Sequence, residues 1–260
     1  MIETVMKINK RPYQEVGQQL KQQLIDGVYE VGQRLPPERD IAKMLEVSRT
    51  IVREAIIMLE LEKLVEVRMG SGTYVLSQPI EPLGSKYSIE LKDDIGPFEM
   101  LQARQLLESN IAEFAAIQVT PNDIAKMRSA LKLERLELES YEQGRQFSEN
   151  GDKCFHFYIA EATQNSVLVE MMQFSWERRT HSLMWKKLHD RINTDHYRKE
   201  WLLDHEKILT ALQKKDPKES KLAMWQHLEN VKNTLFDLSD TEDPKFDGYL
   251  FNVNPIANIK

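Results

Sequence analysis

Residues 35–76, LPPERDIAKMLEVSRTIVREAIIMLELEKLVEVRMGSGTYVL, decide the fold of the N-terminal part of the chain. They contain two short helical patterns, and Ser48 is a favourable N-cap residue for the second. Four apolar residues of that second helix recur at helical spacing and predict a buried stripe: Val52, Ala55, Ile56 and Leu59. Thr50 and Arg53 point about 100–160° away from this stripe, and Arg49 projects at its edge. A helix with a packed back and a polar front is typical of the recognition helix in a helix-turn-helix.

A hairpin is predicted directly after this helix. Val65 and Val67 alternate with polar residues, and a glycine-rich turn that contains Gly70 leads into residues 73–76. Strands of period two around such a turn, next to a recognition helix, predict a wing. Because its tip is small, the backbone can approach the sugar-phosphate edge of a DNA groove.

The composition predicts a folded protein with two domains. Apolar residues make up 41% of the 260 residues, and the net charge is −6. Residues 1–80 hold eleven Lys/Arg and eleven Asp/Glu, so the negative charge lies in the remainder and leaves local phosphate contacts possible. We find no secretory signal and no run long enough to span a membrane. The single cysteine, Cys154, fits a reducing cytoplasm.

Residues 1–79 are therefore predicted to form a winged helix-turn-helix, 80–97 a linker, 98–240 an all-α bundle and 241–260 a tail. The fold class is mainly α. The linker assignment rests on its prolines and glycines. Helical patterns in the second part cover residues 98–118, 121–142, 145–163, 166–189, 197–214 and 217–238.

Three histidines on three different predicted helices face the interior of that bundle: His156, His205 and His227. Asp152 lies four residues before His156, about 40° away on the helical wheel, so both can reach one ion. Imidazole and carboxylate are good ligands for a divalent transition metal. The alternative, favoured by spacing alone, is that these are core histidines bonded to backbone or water.

Three segments, LPPERDIA, VSRTIVREAI and VEVRMGSGTYV, resemble the winged-helix domain of the GntR family of bacterial transcription regulators. The second part resembles the FCD effector domain of the FadR branch of that family. This resemblance implies a metal held by Asp152, His156, His205 and His227, with Zn, Ni and Mn all compatible with the ligand set. It also implies a homodimer that binds palindromic double-stranded operator DNA.

Two further residues are candidates for effector binding. Arg104 takes the place of an arginine that contacts effectors in similar domains, and a guanidinium suits the carboxylate of a small organic acid. The alternative is a salt bridge from Arg104 to Glu108 on the same helix. Asn165 either contributes its side chain to the effector site or caps the following helix, and we favour the cap.

Within the FadR branch, RPYQEVG, GPFEMLQARQLLESNIAEFAA, KLAMWQHLENV and FDGYLF resemble regulators of hexuronate catabolism. The resemblance implies a repressor of glucuronate and galacturonate utilisation genes, released by a sugar acid such as fructuronate. The expected DNA contacts come from Arg39, Ser48, Arg49, Thr50, Arg53 and Gly70. Arg53 is the strongest candidate because its face has no obvious structural task, whereas Arg39 has an acidic neighbour to pair with.

Two other functions fit parts of this pattern. A metal with three histidines and an aspartate could activate water in an enzyme acting on a sugar acid. No general base is recognisable beside the ligands, however, which disfavours an enzyme. A metal-free regulator with an acyl or other apolar effector is the second alternative.

Overall fold

The computed structural model describes residues 11–68, 71–79, 94–143, 149–190 and 196–239. The contacts between these residues divide them into two compact units. The first contains the described residues up to Gly96, together with Leu183–His189 and Ser239. The second contains Pro97–Ser182 and Asp190–Leu238, within the described ranges.

The first unit contains the predicted winged helix. Its elements are α1 Pro12–Ile25, α2 Glu38–Leu45, α3 Arg49–Leu61, β1 Val65–Arg68 and β2 Gly72–Val75. The strands pair antiparallel, with Val65 opposite Val75. Gly72 has a φ of 106°, which a residue with a side chain rarely adopts, so the turn into β2 depends on glycine. The fold class predicted from the sequence is confirmed for this part.

The buried stripe predicted for α3 is confirmed, since its four apolar residues are at most 1% exposed. Glu46 ends α2 in the left-handed conformation and turns the chain toward α3. The Ser48 hydroxyl accepts a hydrogen bond from the Ile51 amide and caps α3, as predicted. Residues 38–61 therefore form the expected helix-turn-helix.

Arg53 does not lie on an exposed polar front, because its side chain is fully buried. Its Nε and Nη2 donate to the Glu38 carboxylate at 2.9 and 2.6 Å, and its Nη1 donates to the Ser239 hydroxyl at 2.9 Å. The expectation that Arg53 has no structural task is therefore wrong. Glu38 lies one helix earlier in the chain, so the pair fastens α2 to α3.

The second unit is all-α, as predicted. Its helices are α4 Pro97–Gln118, α5 Pro121–Glu142, α6 Asn150–Ala162, α7 Ser166–His181, α9 His196–Gln213 and α10 Pro217–Leu238. Thr120 caps α5 through a reciprocal capping box with Asp123, as its place before Pro121 predicts. An apolar core of residues from α4, α5, α6, α7, α9 and α10 holds these helices together. Gly151 allows α6 to approach α5 closely, because a Cβ there would collide with the backbone of Glu134.

One predicted helix is divided into two. The pattern over residues 166–189 predicted a continuous helix, but Ser182 is extended (ψ 124°) and separates α7 from α8, Leu183–Asp190. The Asp94 carboxylate accepts a hydrogen bond from the Met184 amide at the start of α8. Lys187 on α8 pairs with Glu60 at the end of α3. Contacts with distant residues, which periodicity does not reveal, therefore accompany this break.

Some sequence predictions fall outside the described residues: Gly70 at the wing tip, residues 80–93 of the linker and the tail at 241–260. The domain limits stay a prediction. In the described part of the chain, no helix is both long and apolar enough to cross a membrane.

Replacing Glu38 by alanine is expected to destabilise the winged helix by about 3–5 kcal/mol, because it leaves the buried Arg53 guanidinium without its carboxylate. Hydrogen–deuterium exchange of α2 and α3 amides, with urea unfolding of the same protein, measures the loss. Asp40→Ala is the matched control, since that exposed carboxylate in the same turn pairs with the exposed Arg39 and is expected to contribute under about 1 kcal/mol. Equal exchange protection in both variants would show that the Glu38–Arg53 pair does not hold α2 on α3.

Candidate metal centre and recognition helix

Three buried histidines converge in the second unit, one each from α6, α9 and α10. The Nε2 atoms of His156 and His205 lie 3.3 Å apart, and those of His205 and His227 lie 3.1 Å apart. Two nitrogens that each bind one zinc ion at about 2.1 Å would lie about 3–3.4 Å from each other. The spacing of these atoms therefore fits donors that share one metal ion.

Asp152 is the fourth of the metal ligands predicted in the sequence analysis. Its Oδ1 lies 3.3 Å from the His156 Nε2 and 3.7 Å from the His205 Nε2. The Asp152 side chain keeps 25% of its surface exposed, whereas the three histidines are almost fully buried. Three imidazoles and one carboxylate are a donor set for Zn, Ni or Mn, and the exposed side of Asp152 is where a further ligand could enter.

A carboxylate lies near the Nδ1 atom of each imidazole, which is the nitrogen on the far side of the ring from the shared point. His156 Nδ1 lies 2.5 Å from Glu108 Oε2, and His205 Nδ1 lies 2.9 Å from Glu134 Oε2. His227 Nδ1 lies 3.9 Å from Asp204 Oδ2, which is longer than a direct hydrogen bond. Carboxylates in this position fix the tautomer and orientation of metal-binding histidines. The sequence did not predict this role for the three carboxylates. Glu108 and Glu134 lie on other helices than the histidines they face, and Asp204 lies on α9, whereas the histidine it faces lies on α10.

The pKa values of two of the histidines shift in opposite directions. Burial alone would lower the pKa of His156, but the Glu108 and Asp152 carboxylates outweigh it and raise the pKa to about 9. Burial, reinforced by the neighbouring His205, lowers the pKa of His227 to about 3. At neutral pH the centre without a metal therefore carries a proton on His156 and a neutral His227 ready to coordinate.

Two arginines and a tryptophan lie next to this centre. The guanidinium carbons of Arg104 and Arg179 each lie 4.8 Å from the centroid of the Trp176 ring. Arg179 donates to Glu149 at 2.7 Å and approaches Asp152 at 3.8 Å. Sequence analysis missed Arg179 and Trp176, although both lie on the predicted helix that contains α7. The group places two cations and an aromatic ring beside the candidate metal ligands.

The alternative considered for Arg104 is realised, because its Nε donates to Glu108 Oε1 at 2.5 Å. Glu108 thus joins Arg104 to His156, and its pKa is lowered to about 2: burial opposes this shift, but Arg104 and His156 outweigh burial. Asn165 is the N-cap of α7 and accepts from the Val167 and Leu168 amides. The favoured capping role is therefore confirmed. Effector contacts by Arg104 or Asn165 stay predictions.

The predicted DNA contacts lie in different environments on the helix-turn-helix. Arg39 is exposed and pairs with Asp40, whereas Arg49 is half-buried. The Ser48 and Thr50 hydroxyls lie 2.8 Å apart at the start of α3. Thr50 is only 8% exposed, so the expectation that it lies on an exposed polar front is wrong, because its side chain packs at the start of the helix. Arg53 is fully buried, so it cannot contact a base unless the groups around it separate. The DNA-binding roles of these residues stay predictions.

Comparison with known families decides the class of this protein. Residues 12–75 match the family described as bacterial regulatory proteins, gntR family, and residues 99–230 match the FCD domain. The chain belongs to the GntR family. A GntR regulator acts by binding DNA, so this protein is a DNA-binding transcriptional regulator and not an enzyme.

Several transcriptional regulators are similar over almost the whole chain. The Uxu operon transcriptional regulator of Escherichia coli (strain K12) is 55% identical over 250 residues, which cover 96% of each chain. The Uxu operon regulator of Haemophilus influenzae is 53% identical over 96% of this chain and 91% of its own. The Exu regulon transcriptional regulator of Escherichia coli (strain K12) is 47% identical over 96% of this chain and 95% of its own. The resemblance to the GntR family, drawn from the sequence motifs, is confirmed.

Zinc affinity of the protein freed of metal is expected to rise with pH between about 7 and 9. A metal must displace the proton on His156, and one displaced proton gives about a tenfold gain in affinity per pH unit, ending above pH 9. Competition against a chelating dye at several pH values measures the slope. Glu108→Gln removes the charge that raises the pKa of His156 and is expected to flatten the slope. A slope in the unaltered protein that is flat from pH 7 to 9 would contradict the protonation state assigned to His156.

Glu134→Gln is expected to weaken metal binding by about 10–100-fold, because Glu134 orients the His205 ring. Glu139→Gln provides the control, since it removes the same charge from an exposed site on the same helix. Chelator competition and elemental analysis of both variants report the difference. If the two variants bound metal with equal affinity, Glu134 would have no role in metal binding.

Proposed function

We propose that this protein is a repressor of hexuronate catabolism genes that acts in the cytoplasm. In this proposal a homodimer binds a palindromic operator, and a sugar acid bound at a metal centre releases it. The observation that carries the proposal is the His156–His205–His227 cluster with Asp152, next to two arginines, in a chain that also carries a GntR winged helix. The names of the relatives, which refer to the Uxu and Exu genes, support hexuronate metabolism as the regulated process.

In the DNA-bound state, each copy places the start of α3 in a major groove. Arg49 and the hydroxyls of Ser48 and Thr50 lie at that end of the helix and provide contacts to bases or phosphates. Arg39, which is exposed at the start of α2, provides a phosphate contact. Two copies bind successive major grooves, which is why the operator is expected to be palindromic.

The second unit supplies the effector site. Asp152, His156, His205 and His227 would hold a divalent metal, which attracts the oxygen atoms of a sugar acid when bound. Arg179, which lies 3.8 Å from Asp152, and Arg104 add positive charge to the site, and a guanidinium binds a carboxylate through two parallel hydrogen bonds. The Trp176 ring, whose centroid lies 4.8 Å from both guanidinium carbons, helps to hold the two arginines at the site. This combination of charges favours a small organic acid over an apolar effector.

Regulation requires the effector site to influence the winged helix. Trp176 and Arg179 lie on α7, and only Ser182 separates α7 from α8. By its contacts α8 belongs to the winged-helix unit. A shift of α7 on effector binding is thus transmitted through the chain to α8. A coupling free energy on the order of 1–3 kcal/mol is enough for such a response.

A metal-free regulator with an acyl or other apolar effector is the second candidate. The burial of three convergent histidines and the charges around them disfavour it. Elemental analysis of protein purified without chelator separates the two, because the metal-free candidate predicts no stoichiometric transition metal.

Fluorescence anisotropy with DNA from upstream of the hexuronate utilisation genes tests the proposed function. The unaltered, metal-loaded protein is expected to bind, and fructuronate, glucuronate or galacturonate is expected to weaken binding by about 5–150-fold. Arg49→Ala is expected to cost about 1–3 kcal/mol of binding free energy. Arg135→Ala is the control, because it removes an exposed arginine of the second unit. Operator affinity that ignores all three acids would reject the proposed inducer class.

A further inference from the structure

The Glu149 carboxylate lies between two arginines that come from different helices. Arg179, on α7, donates to the Glu149 Oε2 at 2.7 Å, and the Nη1 of Arg198, on α9, lies 3.8 Å from the Glu149 Oε1. Each carboxylate oxygen thus faces a different guanidinium. Arg198 lies seven residues before His205, so both side chains project from nearly the same side of α9, about two turns apart. We call Glu149, Arg179 and Arg198 the Glu149 cluster.

The Glu149 cluster adjoins the water-exposed side of the candidate metal centre. The Arg179 Nη1 lies 3.8 Å from the Asp152 Oδ2, so one guanidinium reaches both carboxylates. The side chains of Glu149 and Asp152 keep 34% and 25% of their surface exposed, whereas those of Arg179 and Arg198 keep 5% and 14%. A ligand that enters beside Asp152 therefore passes close to Glu149.

The Glu149 side chain does not stabilise the helix that it precedes. Glu149 is the N-cap residue of α6, a position at which serine, threonine, aspartate and asparagine are preferred, and its side chain makes no capping hydrogen bond. The Gly151 amide in the first turn donates to Glu137 instead. Turning the Glu149 carboxylate toward water would therefore break no bond within α6.

Two arginine–carboxylate pairs lie beside the centre, and they differ in how readily they can separate. The side chains of Arg104 and Glu108 are 5% and 0% exposed, and Glu108 also faces the His156 Nδ1. Separating that pair would leave a buried charge without its partner, which is strongly unfavourable. The Glu149 carboxylate already contacts water, and a partly exposed ion pair contributes little to stability. Glu149 is therefore the carboxylate that a ligand can replace.

We propose that Arg179 and Arg198 form the subsite for the effector's carboxylate, and that Glu149 fills this subsite until the effector replaces it. This inference rests on the proposed function, since it assigns one end of the sugar acid to these residues. An incoming carboxylate accepts the hydrogen bond from Arg179, and Glu149 turns toward water.

The exchange makes the subsite selective. A simple carboxylic acid replaces one carboxylate by another and gains little. A sugar acid gains more, because its hydroxyl and keto oxygens also reach a metal at the histidine cluster, as Glu149 does not. Glu149 thus restricts the response to acids that carry further oxygen atoms.

Isothermal titration calorimetry of the full chain, loaded with zinc, tests this competition with fructuronate, glucuronate and galacturonate. Glu149→Gln is expected to tighten sugar-acid binding by about three- to tenfold, because it removes the competing charge. Glu142→Gln is the matched control, since it removes the same charge from an exposed ion pair with Lys199, and is expected to leave binding unchanged. If Glu149 served only to fasten α6 to α7, its loss would weaken binding, so the direction of the change separates the two roles.

A second variant tests the subsite itself. Arg198→Ala is expected to weaken sugar-acid binding by about tenfold, because it removes one of the two guanidinium groups. Lys199→Ala, which removes the exposed cation next in the chain, is the control and is expected to have no effect. Zinc content and circular dichroism show that all variants are folded and loaded.

Unchanged or weaker binding in Glu149→Gln would overturn the competition, and unchanged binding in Arg198→Ala would overturn the subsite. Succinate, an organic acid that is not a sugar acid, separates these outcomes from the proposed function. If succinate, but no sugar acid, binds Glu149→Gln more tightly than the unaltered protein, the subsite stands and the hexuronate effector fails. If sugar acids release the operator but bind both proteins equally, the effector stands and the competition fails. If none of these acids binds either protein, both proposals fail.

Discussion

The second unit depends on the convergence of three imidazoles at one point. Their Nε2 atoms meet because α6, α9 and α10 each contribute one ring, while α4 and α5 supply the carboxylates that face His156 and His205. Five helices are thus connected through polar atoms inside an apolar core. Since the nitrogens lie 3.1–3.3 Å apart, a shift of one helix by about an ångström would separate the donors. A metal bound at this centre would therefore depend on the position of each helix.

Charge balance explains why such a buried group of acids is stable. The pKa values of Glu108 and Asp152 are both lowered: burial opposes this change, but nearby cationic groups outweigh it. Arg104 and the proton on His156 supply that positive charge when no metal is bound. A divalent cation would supply it more completely, because it brings two charges to the point where the carboxylates converge. Proton and metal therefore compete for the same electrostatic role.

Local sequence signals predicted most of the fold, whereas the full metal-ligand set was implied by the family resemblance and stays a prediction. Thr120 before Pro121 marked the start of α5, and the buried stripe of α3 followed from its spacing. The four-residue separation of Asp152 and His156 placed two donors on one face of α6. These features depend on neighbours within one helical turn, which is why one sequence was enough to find them.

Contacts between residues far apart in the chain were not predictable in this way. Arg53 had a polar helix face, yet Glu38 and Ser239 bury it, and Ser239 lies 186 residues away. The pairing of Glu134 with His205 spans 71 residues. Just after the break at Ser182, the Met184 amide likewise donates to Asp94, 90 residues earlier in the chain. In each case a polar side chain meets its partner only after the helices have packed, so periodicity carries no signal of it.

One physical cause explains why the sequence pattern did not predict the end of α7. A helix with a single buried face shows one clear apolar period. On α7, Trp176 and Arg179 face the metal centre, Met171 and Phe174 are exposed on another side, and the chain continues after Ser182 into a helix of the winged unit. Apolar residues on two sides weaken the period of both. The sixteen residues of α7 thus lead along the chain from the side chains beside the histidine cluster to the start of α8.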